Sequence, residues 1–387
     1  MELLNDEFYM RLALNAAQGA AGQTGINPTV GCVLVKNGRI VGIGAHLRRG
    51  EAHAEVHAVR MAGEEARGAT AYVTLEPCSH HGRTPPCCDL LIEKGIARVV
   101  VATTDPNPLV SGRGVARLRA HGIEVEVGLL GEASRALNES FNRFIATGLP
   151  FVTVKTAVTL DGRIATRTGH SRWITGPAAR EAVHTLRHRH NAIMIGVGTV
   201  LADDPELTTR LSVPGLHPAR VIVDSSLRLP TDARVLNGAA PTIVLTTSRA
   251  EPARAEALRA NGAEVVPCGD GPRVDLRAGL AALGERGIGS VLVEGGGVLN
   301  GALLEAGLVD KIMLFYAAKI AGDGAPSAFS LQGPETMGEA VRLRVGGIER
   351  FGEDWCVTAY PPKGEEEADA STISMETGGR ADVHGAH

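Results

Sequence analysis

Short runs of Val, Ile and Leu alternate with segments of helical periodicity along almost the whole of this 387-residue chain. Strand-like runs at residues 30–35 and 39–43 meet at Asn37–Gly38, a dipeptide typical of two-residue hairpin turns. Aromatic residues make up only 3% of the chain and 48 residues are glycine, so the core is expected to consist of small aliphatic side chains joined by tight turns. This alternation predicts an α/β fold in which helices cover the sheets.

The length is enough for two or three domains, and turn-forming residues at positions 147–150 separate two alternating halves. We predict a first domain over residues 1–145, a second over residues 146–362 and a disordered tail over residues 363–387. The tail contains six acidic and two basic residues, which accounts for the net charge of −4 and leaves the body neutral.

Composition also limits the location and partners of the protein. Hydrophobic residues make up 44% and charged residues 21%, as in a soluble globular protein. No apolar run approaches the roughly 18–20 residues that span a bilayer, and the N-terminus lacks a basic segment followed by an apolar one. We therefore expect a cytoplasmic protein with no membrane partner, and the neutral body predicts no nucleic-acid partner.

Three of the six cysteines fall within eleven residues, downstream of a histidine-rich helical segment. One imidazole, from His53, and two thiolates, from Cys78 and Cys87, form a ligand set that suits tetrahedral zinc. Three protein ligands leave one position for water, whose pKa zinc lowers to roughly 7. Glu55 lies two residues from His53, where it can shuttle protons. The pattern predicts a catalytic zinc site for deamination of a nucleobase-like ring.

The main alternative is a closed structural zinc site, in which Cys88 joins the two other thiolates and either His53 or His57 completes the set. This is less favoured because adjacent cysteines rarely face the same metal, and because it leaves the nearby carboxylate without a role. His80 and His81 stay open as alternative ligands, although a surface position in their loop is favoured.

The second half carries weaker signals. A strand-like run at residues 290–294 leads into Gly295–Gly297 and then a helical segment, where backbone N–H groups could approach a phosphate. A plain turn explains the same glycines equally well, and the chain contains no G-x-G-x-x-G fingerprint. Arg172, Arg187 and Arg210 are candidates for a phosphate clamp.

Residues 53–57 and 74–88, together with the Asn-Pro-x-Val-Gly segment at residues 27–31, resemble the deaminase half of the bifunctional deaminase/reductase family of riboflavin biosynthesis. The resemblance implies a cytidine-deaminase-like three-layer α/β/α domain. It also implies that 2,5-diamino-6-ribosylamino-4(3H)-pyrimidinone 5′-phosphate is the substrate and loses its C2 amine as ammonia. The implied site residues are the zinc ligands His53, Cys78 and Cys87, the proton donor Glu55, and Asn27 against the pyrimidine.

The resemblance continues through the second half, over residues 155–163, 171–175, 196–210, 223–225 and 294–297. It implies a dihydrofolate-reductase-like α/β domain that uses NADPH. The implied NADPH contacts are Ala157, Trp173, Thr199, Asp203, Ser225, Gly296, Gly297, Val298, Leu299, Asn300, Gly301 and Ala302. The implied substrate contacts in this half are Lys155, Ser171, Arg187, Leu207, Arg210 and Glu294.

The reaction implied for this half is hydride delivery to C1′, which converts the ribosyl group to ribityl. Lys155 and Asp161 are both candidates to supply the accompanying proton, and the residues do not decide between them. An alternative interpretation of Trp173 is an aromatic residue of the hydrophobic core instead of an NADPH contact. The resemblance also implies a homo-oligomer, formed through the second domain, that acts on a small phosphorylated pyrimidine.

Two other functions are compatible with part of the sequence pattern. A tRNA adenosine deaminase is compatible with the zinc pattern, but residues 1–145 contain 15 basic and 15 acidic residues, whereas tracking a nucleic-acid backbone needs a basic surplus. A non-enzymatic zinc scaffold would need no carboxylate at position 55.

The first prediction concerns the acidic tail. Removing residues 363–387 should leave the deaminase and reductase rates unchanged, because no apolar periodicity ties the tail to either domain. Both rates should be measured on the full-length and shortened chains. A large loss in either rate would contradict the reading of this segment as a dispensable tail.

Overall fold

The computed structural model describes residues 3–79, 85–107 and 111–362. The acidic tail, His80 and His81 lie outside these residues. The α/β class is confirmed, with one five-stranded sheet in the first half and one nine-stranded sheet in the second. In the described part of the chain, every helix is too short or too polar to cross a bilayer.

The first sheet has the strand order β2-β1-β3-β4-β5. Strand β1 runs antiparallel to β2 and β3, whereas β3, β4 and β5 are parallel to one another. The elements of this half are α1 (Asp6–Gly19), β1 (Gly31–Lys36), β2 (Arg39–Ala45), α2 (Ala54–Ala62), β3 (Thr70–Val73), α3 (Cys87–Glu93), β4 (Arg98–Val101), α4 (Arg113–Ala120), β5 (Glu124–Val127), α5 (Gly131–Leu137) and α6 (Glu139–Thr147).

The predicted hairpin is present between β1 and β2. Lys36 pairs with Arg39 across a two-residue loop. Asn37 and Gly38 adopt φ values of 51° and 73°, the left-handed conformation that this tight turn requires. The twist of such a turn matches that of the flanking strands, so the dipeptide sets the register of the hairpin.

Both faces of the five-stranded sheet are covered, which confirms the three-layer arrangement. Successive strand residues point to opposite faces, so Cys32 and Leu34 of β1 pack in a different cluster from Val33 and Val35. The first cluster contains residues of α2, α3 and α4, and the second contains residues of α1. Each layer of helices therefore has its own hydrophobic core.

Helix α2 packs directly on the backbone of β2. A Cβ atom on Gly42 would lie 2.1 Å from the carbonyl oxygen of Ala58, and one on Gly44 would lie 2.1 Å from that of Ala54. No side chain larger than hydrogen fits at either position. The contact brings the first turn of α2, which carries Glu55, against the sheet.

Helix α1 is not anticipated by the sequence analysis, although Asn5 carries a signal for its start. The Asn5 side chain accepts a hydrogen bond from the Phe8 N–H at 2.9 Å, as an N-cap does. Asp6 then accepts a hydrogen bond from the Tyr72 hydroxyl at 2.6 Å and pairs with Arg98 at 2.7 Å. These polar contacts join the start of α1 to β3 and β4.

The second sheet has the strand order β10-β9-β8-β7-β11-β6-β12-β14-β13. The pairs β10/β9, β9/β8, β8/β7 and β7/β11 are parallel, and the pairs β12/β14 and β14/β13 are antiparallel. The elements are β6 (Phe151–Thr159), α7 (Pro177–Arg189), β7 (Ala192–Gly196), α8 (Val197–Asp203), β8 (Ala219–Val223), β9 (Thr242–Thr246), α9 (Pro252–Ala260), β10 (Ala263–Pro267), α10 (Leu276–Glu285), β11 (Ser290–Val293), α11 (Gly297–Glu305), β12 (Lys311–Ala317), β13 (Arg344–Phe351) and β14 (Asp354–Tyr360).

A buried carboxylate connects β3 to α4. Glu76 is 3% exposed, and its Oε1 accepts hydrogen bonds from the N–H groups of Gly114 at 2.9 Å and Val115 at 3.1 Å. Its Oε2 accepts from Gly112 at 2.9 Å and Asp105 at 3.2 Å. One side chain therefore holds the backbone at the start of α4 and at Asp105.

We predict that Glu76→Gln lowers the free energy of unfolding of the first half of the chain by about 2–3 kcal/mol. The amide NH2 group replaces one carboxylate oxygen, so the backbone N–H groups on that side lose their acceptor and face another donor. Differential scanning calorimetry of the full chain measures the effect. Glu65→Gln is the control, since the Glu65 carboxylate is exposed and pairs with Lys36; this substitution should cost less than about 1 kcal/mol. Equal unfolding temperatures for the two variants would contradict the role assigned to Glu76.

Candidate zinc centre and reductase residues

The three predicted zinc ligands lie together. His53 occupies the N-cap position of α2, Cys78 follows β3, and Cys87 is the first residue of α3. The Nδ1 atom of His53 lies 3.2 Å from the Cys87 Sγ and 3.6 Å from the Cys78 Sγ, and the three ligand atoms lie within 4.8 Å of one another. Tetrahedral zinc, with bonds of about 2.0–2.3 Å, separates its ligand atoms by roughly 3.5 Å. The donor set and its spacing therefore fit zinc.

The closed four-ligand alternative is not supported. Cys88 is buried in the hydrophobic cluster beneath α2, α3 and α4, and its thiol is 3.9 Å from the Asp89 carboxylate. Burial raises the pKa of the Cys88 thiol to about 11, which disfavours the thiolate that zinc needs. His57 contributes no ligand atom to the cluster.

The Cys78 sulfur lies among hydrogen-bond donors. Its pKa is lowered to about 4, mainly by the Cys87 side chain and also by His53 and the backbone N–H of Cys87. That N–H donates to the Cys78 Sγ at 3.2 Å. The surroundings of Cys78 thus favour the deprotonated form that binds a metal.

Glu55 is buried beside the cluster, with 3% of its surface exposed. Burial raises the pKa of the Glu55 carboxyl to about 7, and the negative charge of Cys78 acts in the same direction. A carboxyl group with a pKa near neutrality can both take up and release a proton at physiological pH. The predicted proton-transfer residue is therefore present beside the predicted ligands.

Asn27 lies in the loop before β1 and is half-buried. Its Nδ2 atom is 3.1 Å from the Nε2 atom of His46, whose ring packs edge-on against that of His53 with 5.3 Å between the centroids. His46 is 3% exposed, and the sequence analysis missed it because it stands outside the ligand spacing. Asn27 is thus connected to the zinc ligands through a second histidine.

Four of the residues assigned to substrate in the second half lie together. Arg187 donates from Nε and Nη2 to the Glu294 carboxylate at 2.6 and 3.0 Å, and from Nη1 to the Thr208 carbonyl at 2.9 Å. Both side chains of this pair are 11% exposed. Arg210 donates to the Thr208 hydroxyl at 2.9 Å, and Leu207 is buried beside it. The Arg187 guanidinium is already hydrogen-bonded to the Glu294 carboxylate. Arg210, whose side chain is 56% exposed, is therefore the better candidate for binding a phosphate.

The glycine-rich segment starts α11, and packing explains part of its composition. A Cβ atom on Gly297 would lie 2.3 Å from the Ser327 carbonyl oxygen, and one on Gly301 would lie 2.1 Å from that of Ser330. The Asn300 amide donates inward to Thr156 and Ala328. Of the remaining predicted contacts here, Gly296 precedes the helix, Leu299 is buried, Ala302 is half-buried and Val298 is exposed.

The other predicted cofactor contacts are distributed over several elements. Trp173 is 64% exposed, so its reading as a core aromatic is wrong. Both its carbonyl oxygen and that of Ile174 accept hydrogen bonds from the Lys319 ammonium, at 2.7 and 2.8 Å. The remaining positions are Ala157 on β6, Ser171 in the loop after β6, Thr199 and Asp203 on α8, and Ser225 after β8.

Asp161, one of the two candidate proton donors, is fully engaged as an acceptor. Its carboxylate accepts hydrogen bonds from the Thr159 hydroxyl at 2.5 Å, from the Ala321 N–H at 3.1 Å and from the Gly322 N–H at 2.8 Å. The Thr159 hydroxyl, followed by these N–H groups, lowers the pKa of Asp161 to about 2. Asp161 therefore stays ionised near neutral pH and has no proton to give.

Comparisons with known proteins define the class. The chain matches the family described as the cytidine and deoxycytidylate deaminase zinc-binding region over residues 4–103, and the RibD C-terminal domain over residues 150–357. A riboflavin biosynthesis protein RibD of Bacillus amyloliquefaciens is 46% identical over 366 residues, which cover 94% of this chain and 98% of the relative. A zinc-type deaminase is thus joined to a reductase domain.

Solved structures agree. Acinetobacter baumannii RibD, form 1, has a TM-score of 0.84 and 38% identity, covering 92% of this chain and 99% of that one. A diaminohydroxyphosphoribosylaminopyrimidine deaminase/5-amino-6-(5-phosphoribosylamino)uracil reductase of Thermotoga maritima has a TM-score of 0.82 and 39% identity, with the same coverage. The chain belongs to the RibD family of riboflavin biosynthesis, and it is a bifunctional enzyme with a zinc-binding deaminase part and a reductase part.

The hydrogen bonds of Asp161 generate a pH prediction. Its pKa in the folded chain, about 2, lies below the ordinary value of 3.8, so its stabilising contribution is present above about pH 4 and is lost as the pH falls toward 2. Asp161→Asn should therefore lower the melting temperature at neutral pH, and the difference from the wild type should shrink as the pH is lowered. Asp323→Asn, in the neighbouring loop, is the exposed control. A difference that does not change with pH would contradict the assignment.

Proposed function

We propose that the first half hydrolyses the C2 amine of 2,5-diamino-6-ribosylamino-4(3H)-pyrimidinone 5′-phosphate, and that the second half then reduces the ribosyl group of the product to ribityl with NADPH. The product of the two steps is 5-amino-6-ribitylamino-uracil 5′-phosphate. The observation that carries the proposal is the grouping of His53, Cys78 and Cys87 around one point with a buried Glu55 beside it. Family membership over more than nine-tenths of the chain supports the substrate.

In deamination, water adds to C2, the C2–N bond breaks and ammonia leaves. A zinc ion held by His53, Cys78 and Cys87 would supply Lewis acidity and an activated water. Glu55 takes a proton from the attacking water at a carboxylate oxygen and passes it to the departing amine. Its pKa of about 7 suits both transfers, and its burial keeps competing solvent away.

In reduction, hydride reaches C1′ of the open-chain sugar while the adjacent nitrogen keeps its bond to C1′. NADPH supplies that hydride when bound. We assign proton handling to Lys155, since Asp161 is held ionised by its three donors. Lys155 is half-buried on β6, with its Nζ 6.0 Å from the centroid of the Phe315 ring. Arg210 would hold the phosphate, and the Arg187–Glu294 pair would orient the sugar.

The proposal includes the organisation of the chain, with the deaminase over residues 1–145, the reductase over residues 146–362 and a tail beyond. The matches to residues 4–103 and 150–357 support that division. A reducing, cytoplasmic location is part of the proposal, in keeping with cysteines that serve as metal ligands at positions 78 and 87 and as buried core residues elsewhere. Apolar side chains exposed on strand β13, at Val345 and Ile348, support a homo-oligomer formed through the second domain.

Glu55→Gln tests the deaminase assignment. We expect the variant to retain zinc and to lose about 10²–10⁴-fold in ammonia release from the phosphorylated pyrimidine, because the amide cannot transfer a proton. Glu64→Gln, an exposed carboxylate just after α2, is the control and should leave the rate unchanged. Full activity of Glu55→Gln would contradict the assignment of Glu55 as the proton-transfer group, whereas absence of ammonia release from the wild type as well would favour a non-enzymatic zinc scaffold.

Cys78→Ser separates the two activities in the same series. The variant should lose zinc and deamination, yet still oxidise NADPH in the presence of the already deaminated substrate. The measurements are the zinc content of the protein, the release of ammonia and the decrease in NADPH absorbance. If both activities fall together, the assignment of two independent sites is wrong; if the wild type instead converts tRNA adenosine to inosine, the substrate class is wrong.

A further inference from the structure

Hydrogen bonds to buried side chains hold the loop that carries Asn27. The Asn27 N–H donates to the Thr24 carbonyl at 3.1 Å, and the Thr24 hydroxyl donates to the Asn27 carbonyl at 2.9 Å. Two residues further on, the Asn138 amide donates to the Thr29 carbonyl and accepts from the Thr29 N–H. Thr24 and Asn138 are both nearly fully buried. The backbone position of Asn27 is therefore defined by buried side chains.

His46 determines which way the Asn27 amide faces. The Nδ2 atom of Asn27 always carries hydrogens, so the His46 Nε2 atom, 3.1 Å away, has to be the acceptor. The other ring nitrogen, Nδ1, then carries the hydrogen and donates to the Ala52 carbonyl at 3.2 Å. The two contacts agree on a single neutral tautomer. With the amide reversed, Oδ1 and Nε2 would be two acceptors facing each other.

The structure assigns His46 as a positioning residue: through this tautomer it holds the Asn27 amide so that Oδ1 is presented to the substrate as an acceptor. The inference rests on the proposed deaminase function. Among the described residues, Oδ1 of Asn27 receives no hydrogen bond, whereas every other polar atom of this residue is engaged. The His46 ring packs against the zinc ligand His53, which places the Asn27–His46 pair at the metal centre.

An acceptor in this position selects a substrate group that carries an N–H or O–H. A substrate that offers an acceptor there would leave two buried oxygen or nitrogen lone pairs facing each other without a proton. The pair would therefore favour a pyrimidinone that presents a donor over an analogue that presents only acceptors. Specificity of this kind depends on the amide orientation as much as on the identity of residue 27.

Two isosteric variants separate this role from support of the metal site. His46→Asn places an amide N–H where the ring has Nδ1, so it keeps the contact with Ala52 but loses the acceptor for Asn27. His46→Gln places a carbonyl oxygen where the ring has Nε2, so it keeps that acceptor. We expect His46→Asn to lower the deaminase kcat/KM by roughly tenfold, mainly by raising KM, whereas His46→Gln should stay within about threefold of the wild type.

The same two variants in an Asn27→Ala background test whether His46 acts through Asn27. Their difference should disappear there, because the partner that distinguishes them is gone. Zinc content and NADPH oxidation, measured on every variant, should equal those of the wild type. Equal kcat/KM values for His46→Asn and His46→Gln, a difference that survives in Asn27→Ala, or loss of zinc from His46→Asn would overturn the inference. Absence of ammonia release from the wild type would instead overturn the proposed function.

Discussion

The deaminase half depends on one buried negative charge. Taking a carboxylate out of water costs several kcal/mol unless its lone pairs are satisfied, and the four backbone N–H groups around Glu76 satisfy them. The same bonds join the end of β3 to the start of α4, two residues before Cys78. The backbone two residues before the zinc ligand Cys78 is therefore held by a side chain that is not itself part of the ligand set.

Features that depend on neighbouring residues could be predicted from the sequence. The hairpin at Asn37–Gly38 follows from the conformational freedom of two adjacent residues, and the zinc ligands follow from their donor chemistry and spacing. Helix α1 was missed, although the Asn5 cap and the acidic first turn are local signals for it. The ends of the predicted strands were less accurate: β1 begins one residue later than the run at residues 30–35, and β2 extends two residues beyond the run at residues 39–43, because an apolar run indicates burial rather than strand pairing.

Features that depend on contacts between distant residues could not be predicted. In the sequence Glu76 is an ordinary acidic residue, and only folding brings the N–H groups of Asp105 and of residues 112–115 to its carboxylate. His46 likewise carries no signal until Asn27 comes within 3.1 Å. The exposure of Trp173 and the engagement of Asp161 by Ala321 and Gly322 are of the same kind. The spacing of residues in the sequence identifies the groups that react. The groups that orient them come from distant parts of the chain and meet only in the folded protein.

The contact of α2 with β2 has a consequence for redesign of the enzyme. At Gly42 and Gly44 the backbones of α2 and β2 are in direct contact, with no side chain between them. The distance between helix and strand is therefore set by the backbones themselves. Substitutions in the hydrophobic core cannot increase this distance. Any larger residue at either glycine would move α2, and with it Glu55, away from the cysteine ligands. Attempts to broaden the range of accepted heterocycles should therefore conserve Gly42 and Gly44 and diversify the loop that carries Asn27 instead.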